Sequence, residues 1–228
     1  RSDINELAKS NPNLGVSVTV DFFLEEIAAA EQSLSRLAEF KTKYCCVRQN
    51  ASTAWLTAED VNKCFSDTGK TLEDFRHTYA LAGIDLSMTT DLTAVVILIQ
   101  KGDTVWFFTR FYMPRNKLEE ATARDGIPYS KYVEQGYLIL SGENVVDYHD
   151  VETLYTDLVR KQEILPQKNG YDRYSAAFLI QDLQGQGFQM ESVSQGSNLT
   201  GVIIDTEGMI KDGRLKSAED NNLMKIHM

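Results

Sequence analysis

The middle of the chain carries three consecutive strand-like segments, of which the second and third are rich in β-branched and aromatic residues, and these restrict the fold to one built on a β-sheet. Residues 79–85 form the first segment. Residues 93–99 and 104–112 form the other two, and the turn pair Gly102-Asp103 between them is typical of a β-hairpin. Three strands in sequence order, each antiparallel to the one before it, are therefore expected.

Strand and helix patterns alternate along the rest of the chain. They predict a short strand at 137–140, a helix at 151–159, a strand near 170–172, a helix ending at 183, a strand at 188–193 and a last helix after Asn198. The apolar residues of that last helix, Leu199, Val202, Ile203 and Ile210, are expected to point inward. A meander of strands followed by alternating helices and strands is typical of an α/β domain with a mixed sheet. Ribonuclease H-like folds have this order, so we predict a ribonuclease H-like mixed sheet flanked by helices.

The first 77 residues lack this strand pattern and are predicted to be helical. Apolar residues recur at helical spacing after Thr19, which can cap a helix running to about Phe40. A second short helix is expected after Thr57. We therefore expect a helical linker or brace over residues 1–77 and the ribonuclease H-like domain over residues 78–228.

Composition limits the class of protein. The formal net charge of -10 argues against a protein that coats DNA, but it allows an enzyme that meets DNA at one metal-loaded cleft. No apolar run reaches the roughly 18 residues that a membrane span needs. Three cysteines (Cys45, Cys46 and Cys64) do not suggest a disulfide framework and suit a reducing compartment. Because the chain starts at Arg1 rather than Met, we expect it to be part of a longer protein.

Asp85 is the first candidate for a functional residue. It ends an apolar strand segment, where a buried carboxylate is costly unless it has a partner such as a metal ion. The polar turn that follows could bring Asp91 close to Asp85, so Asp91 is predicted to be a supporting acid. The alternative is an Asp that merely ends a strand.

Asp172 is the second candidate, because it ends the strand predicted after the first helix of the sheet domain. In a ribonuclease H-like sheet that strand lies beside the first one, so Asp85 and Asp172 would face each other. Two such carboxylates can bind hard cations such as Mg²⁺. Two ions about 4 Å apart could activate a water and stabilise the leaving oxygen of a phosphodiester. A salt bridge to Arg173 is the alternative role for Asp172.

Several stretches of the chain resemble the large subunits of phage and prophage terminases. The likeness runs from about residue 10 to the end, and the two Asp-bearing stretches are its most specific parts. The matching stretches are residues 11–15, 83–87, 91–94, 111–114, 170–174 and 195–196.

The resemblance implies the nuclease domain of a terminase large subunit, a hydrolase that cleaves double-stranded DNA with two divalent ions, Mg²⁺ or Mn²⁺. It implies that Asp85 and Asp172 are the catalytic metal ligands. The family has a third carboxylate near the start of a C-terminal helix, and Asp205 and Glu207 lie on the preceding predicted helix, so no match is found. Either the third acid lies in sequence absent here, with the domain truncated at its C-terminus, or the site is incomplete.

The resemblance also implies partners and a location. The partners are double-stranded DNA, the terminase ATPase domain of the full-length protein, the portal and the small terminase subunit, and no membrane. The location is the cytoplasm of the bacterial host. The DNA-binding residues of this chain are not identified by the likeness.

Two other functions remain open. Actin-like and sugar-kinase-like ATPases share the ribonuclease H-like core, and Ser87, Thr89 and Thr90 could cradle phosphates, although their turn lacks the glycines that let backbone approach a phosphate. The other alternative is a non-catalytic packaging module that docks a portal or small terminase subunit through the helix near residues 19–40.

Overall fold

A mixed β-sheet is the frame of the larger part of this chain. The structure, a computed structural model, describes residues 4–30, 34–46, 55–86, 92–172, 177–194, 196 and 199–228. The chain divides into two compact units, residues 1–57 and residues 58–228. The sheet belongs to the second unit.

Seven strands form the sheet in the described part of the chain, in the order β4-β3-β2-β1-β5-β6, with β7 paired to β3. The strands are β1 (Tyr79–Asp85), β2 (Thr93–Lys101), β3 (Thr104–Met113), β4 (Leu138–Leu140), β5 (Leu165–Asp172), β6 (Met190–Val193) and β7 (Leu215–Ser217). β2 is antiparallel to β1 and β3, whereas β5 is parallel to β1, β6 to β5, and β4 and β7 to β3. The carboxyl ends of β1, β3, β4, β5 and β6 therefore meet at one edge.

Helices flank this sheet and also form the first unit. The helices are α1 (Ile4–Ser10), α2 (Val20–Ala30), α3 (Leu34–Cys45), α4 (Ala58–Cys64), α5 (Leu118–Asp125), α6 (Tyr129–Glu134), α7 (Tyr148–Arg160), α8 (Ala177–Gly185), α9 (Thr200–Lys211) and α10 (Asn222–His227), with short 3₁₀ helices at Leu72–Phe75 and Arg115–Lys117. Within the described ranges, none of these helices is long and apolar enough to cross a bilayer. The predicted mixed sheet flanked by helices is confirmed.

The two faces of the sheet differ in how they are covered. Side chains alternate between the faces of a strand, and along β1 the buried residues Ala80, Ala82 and Ile84 face α7 and α8. The buried cluster on that face comprises Ala82, Ile84, Val95, Tyr112, Val146, Val151, Tyr155, Leu179 and Leu183. On the opposite face, Tyr79 and Leu81 are 64% and 51% exposed. The outer face of β1 is thus open along much of its length.

A mostly enclosed ion pair joins β3 to the segment after β7. β7 pairs with the first half of β3 and β4 with its last residues, so the two short strands leave a gap between them. Arg110 lies in this gap and donates two hydrogen bonds, of 2.6 and 2.7 Å, to the carboxylate of Glu219. The amide of Asn221 donates to the carbonyl of Thr109. These contacts occupy the edge where a continuous strand would otherwise pair.

The first unit contains two helices where the sequence predicts one. Thr19 accepts a hydrogen bond from the backbone N–H of Phe22, as expected of a cap. However, α2 ends at Ala30, and the rings of Phe23 and Tyr44 are 5.1 Å apart. A continuous helix would separate these residues by about 30 Å. The prediction of a single helix to about Phe40 is therefore wrong, because α3 folds back against α2.

Residues 58–77 lie with the sheet. The predicted boundary falls between residues 77 and 78, whereas the two compact units divide between residues 57 and 58. Phe75 is buried in the same cluster as Ile97 and Trp106, and its ring lies 5.5 Å from that of Phe108. These contacts explain why the segment before β1 belongs to the sheet unit.

Candidate active site

Asp85 and Asp172 lie side by side at the carboxyl ends of neighbouring strands. β1 and β5 are parallel, with Gly83 opposite Gly170 and Ile84 opposite Tyr171. Each Asp is the next residue and the last of its strand. Since neighbouring strands are about 4.8 Å apart, the two carboxylates come within reach of one shared ion. The structure thus brings together the two residues that the sequence singled out.

Both carboxylates project from the open face of the sheet. Asp85 alternates with the buried Ile84 and therefore lies on the same face as Gly83. Asp172 shares that face, because it is two residues from Gly170, which is opposite Gly83. Asp85 is exposed and Asp172 is half-buried. Solvent, a cation or a phosphate can reach this pair without moving α7 or α8.

A shallow cleft of about 280 Å³ surrounds the two carboxylates. Its lining consists of Gly83, Ile84, Asp85, Ala94, Val96, Gly170, Tyr171, Asp172, Val193 and Leu199. Apart from the two acids and the Tyr171 side chain, these residues are apolar or glycine. Among the described residues, no atom outside Gly83 and its two chain neighbours lies within 4 Å of the position that a Cβ at Gly83 would occupy, so these residues leave space beside Asp85. The two carboxylates therefore lie in a cleft whose other lining residues are mostly apolar.

The donor set fits a hard cation better than zinc. Carboxylate oxygens are the ligands that Mg²⁺ and Mn²⁺ prefer, and Mg²⁺ is commonly held by one or two carboxylates with waters and phosphate oxygens in its remaining positions. Among the described residues there is no group of three or more His, Cys, Asp and Glu side chains that could hold a metal ion. Two aspartates with open positions for water and phosphate are what the described part of the chain offers.

Other predicted residues are not at the cleft or are outside the description. Asp91 lies outside the described residues, as do Ser87, Thr89, Thr90 and Arg173. Asp205 and Glu207, which the sequence did not match to the third carboxylate of the family, lie on α9, and neither lines the cleft.

Two cleft residues escaped the sequence analysis. Val193 lies beside Asp172 in the β5–β6 register, and Leu199 comes just before α9. The alternating pattern of β6 could have placed Val193 on this face, but only once β6 was known to be the neighbour of β5. Leu199 was expected to point inward from its helix, and no local signal indicates that it lines the cleft.

Comparisons with known proteins show the family to which this chain belongs. The family model described as "Terminase large subunit, endonuclease domain" matches residues 2–228. "Protein YmfN" of Escherichia coli (strain K12) is 25% identical over 224 residues, which cover 93% of this chain and 48% of that protein. The "Terminase, large subunit" of Enterobacteria phage HK97 is 32% identical over 139 residues, which cover 59% of this chain and 27% of that protein. The chain thus spans less than half the length of either relative.

A solved structure has the same fold. The crystal structure of the HK97 bacteriophage large terminase superimposes with a TM-score of 0.63 at 21% sequence identity, covering 98% of this chain and 46% of that one. This match confirms the ribonuclease H-like fold class. With the family model matching nearly every residue, the chain belongs to the endonuclease domain family of terminase large subunits.

Proposed function

We propose that this domain is a metal-dependent endonuclease that cleaves double-stranded DNA during the packaging of a viral genome. The observation that supports this most strongly is the pair Asp85 and Asp172, adjacent at the carboxyl ends of β1 and β5 on an open face. A structural role would not require two carboxylates to end neighbouring strands, where their charges repel each other. A shared divalent cation would remove that repulsion.

In this proposal the aspartates bind and orient the ions. Mg²⁺ or Mn²⁺, when bound, supplies Lewis-acid activation of water and neutralises charge on the leaving oxygen of a phosphodiester. Asp85 and Asp172 are the catalytic metal ligands, and two ions are held when the site is complete. The apolar side chains of Val96 and Val193 flank the open cleft, and DNA bound over it would displace water there, which strengthens the electrostatic interactions between the ions and the phosphate.

The ligand set extends beyond these two residues. Asp91 is proposed as a supporting acid, since the polar turn that contains it follows β1. A third carboxylate, expected for the family, has no match among the described residues. Two alternatives remain open for it: either it lies in sequence absent here, or the site is incomplete.

The activity of the whole protein goes further than this domain. Since both relatives are at least twice as long as the stretch that matches, we propose an ATPase domain in the full-length protein. A packaging role gives it double-stranded DNA as substrate, the portal and the small terminase subunit as partners, and the cytoplasm of the bacterial host as its location.

Plasmid cleavage tests the proposal. Supercoiled plasmid is incubated with the chain in Mn²⁺, Mg²⁺ or a chelator, and nicked and linear products are measured. We expect metal-dependent cutting that falls by about a hundredfold or more in Asp85→Asn and in Asp172→Asn, because a metal ion contributes several kcal/mol to transition-state stabilisation. Asp205→Asn, on the exposed surface of α9, is the matched control and should cut like the wild type.

The alternatives predict different results. Cutting that persists in both variants, or the absence of cutting with any metal by both this chain and the full-length protein, would contradict the nuclease proposal. An ATPase would bind ATP with Mg²⁺ and leave the plasmid intact. A non-catalytic docking module would bind the portal or small subunit equally well with and without Asp85.

A further inference from the structure

A second groove lies on the helix-covered side of the sheet, at the same edge as the candidate active site. It has a volume of about 610 Å³ and is formed by the segment between β4 and α7, the first residues of α7, and α8. Both helices begin at the edge where the parallel strands end, since each follows such a strand. The volume is within the range of pockets that accept one or more large side chains.

Apolar side chains in this groove are unusually exposed. Phe178, in the first turn of α8, is 81% exposed, and Val145 is 57% exposed. Val146 and Leu179, which also line the groove, are buried. Burying an aromatic side chain is favourable, so a ring as exposed as that of Phe178 can contribute to contact with another molecule.

The rim of the groove is acidic. Glu143, Asp147, Glu152 and Asp182 line it, and no lysine or arginine is among its described lining residues. Asp147 caps α7 by accepting a hydrogen bond from the N–H of His149, and the His149 ring lies 3.0 Å from the Glu152 carboxylate. The hydrogen bond to Glu152, with the charges of Asp147, Glu152 and Asp182, raises the pKa of His149. The four carboxylates therefore give the rim of the groove a negative charge.

We infer that this groove binds a basic segment of a partner protein, with a large apolar side chain against Phe178 and Val145 and lysines or arginines against the acidic rim. DNA is excluded, because the rim carboxylates repel phosphates. Charge complementarity and an exposed aromatic anchor are the features that distinguish peptide-binding surfaces from ordinary surface. The inference does not depend on nuclease activity, and its test measures binding alone.

Fluorescence anisotropy with a short synthetic peptide tests the inference. The probe is a fluorescein-labelled peptide of alternating lysine and leucine with one tryptophan, and a peptide with glutamate in place of lysine is its control. We expect Phe178→Ala to raise the Kd for the lysine peptide about tenfold or more. The pair Glu143→Gln with Asp182→Asn should raise it several-fold, by an amount that shrinks as salt is added.

Matched variants separate the groove from general attraction to an acidic protein. Ile204→Ala removes a side chain of similar exposure on α9, and Glu119→Gln with Glu134→Gln removes the same charge from α5 and α6. Both should bind the lysine peptide like the wild type. Equal losses in these controls, no binding by the wild type, or equal binding of the glutamate peptide would overturn the inference. So would self-association of the chain that Phe178→Ala abolishes, since the occupant would then be a second copy.

Discussion

At the residue scale, the absence of a side chain at Gly83 is as informative as the carboxylate two residues later. Glycine weakens a strand interior, and in strands it often marks a place where a ligand approaches the backbone. Gly83 lies in the centre of β1, with open space where a Cβ would be, and its neighbour Gly170 lies across from it. We interpret the open space beside Gly83 as room for the metal ions and the phosphate.

The substitution Gly83→Val tests that interpretation. A β-branched side chain suits a strand, and its Cβ would have no atom of the described residues within 4 Å, so the thermal unfolding midpoint should stay the same or rise slightly. Cleavage should fall by about a hundredfold, because the methyl groups displace the substrate from its reacting position. Gly208→Ala, in the open on α9, is the control and should leave cleavage unchanged. Normal cleavage by Gly83→Val would show that neither the ions nor the substrate occupy the space beside Gly83.

The cysteines should differ sharply in reactivity. Cys64 is buried, and burial, followed by the charge of Asp60, raises the pKa of its thiol to about 11. Since the thiolate is the reactive form, Cys64 should resist a disulfide reagent at pH 8 in the folded protein. Cys46 is exposed and should react at once. Mass spectrometry of the modified protein, before and after unfolding in urea, locates the labels, and equal early labelling of both cysteines would contradict this account.

At the element scale, the edge of β3 shows how distant segments complete the sheet. Arg110 and Glu219 are mostly enclosed, and their two hydrogen bonds are charge-assisted and bidentate. Removing one partner from such a pair leaves an uncompensated charge in a poorly solvated position. The pair therefore holds the segment after β7 against β3.

We expect Glu219→Ala to lower the free energy of unfolding by about 3 kcal/mol, measured by urea denaturation. Glu120→Ala, which removes an exposed partner of Lys117, is the control and should cost less than about 1 kcal/mol. Replacing Arg110 and Glu219 together by Met and Leu should recover much of the loss. A loss in Glu219→Ala no larger than in the control would show that the pair contributes little.

The elements also show where sequence patterns stop being informative. The sequence patterns of β1, β2 and β3 predict these strands, because the alternation of buried and exposed side chains is a local property of each strand. The break between α2 and α3 could not be predicted, since no glycine or proline lies between residues 20 and 45. On α9, Val202 and Ile203 were expected to point inward, yet they are 59% and 47% exposed, whereas Ile210 is buried as expected. Periodicity identifies a helix, but the packing of the whole unit decides which side is buried.

At the scale of the whole molecule, the order of strands made the candidate site predictable. Asp85 and Asp172 are far apart in sequence, and only the expectation that β5 lies beside β1 placed them together. The residues that line the cleft and the Arg110–Glu219 contact depend on which strands are neighbours elsewhere in the sheet. Local sequence patterns do not indicate which strands are neighbours. The net charge of -10 is consistent with an enzyme whose DNA contact is concentrated at metal ions rather than spread over a basic surface.

The central claim is that Asp85 and Asp172 together form one divalent-metal site, and Mn²⁺ binding followed by electron paramagnetic resonance tests it most directly. We predict that the wild type binds Mn²⁺ and that Asp85→Asn and Asp172→Asn each weaken the affinity for Mn²⁺ about tenfold or more. The double variant should bind Mn²⁺ only slightly more weakly than either single variant, because the effects of residues that share one site are not additive. Unchanged Mn²⁺ affinity in the double variant would contradict the claim.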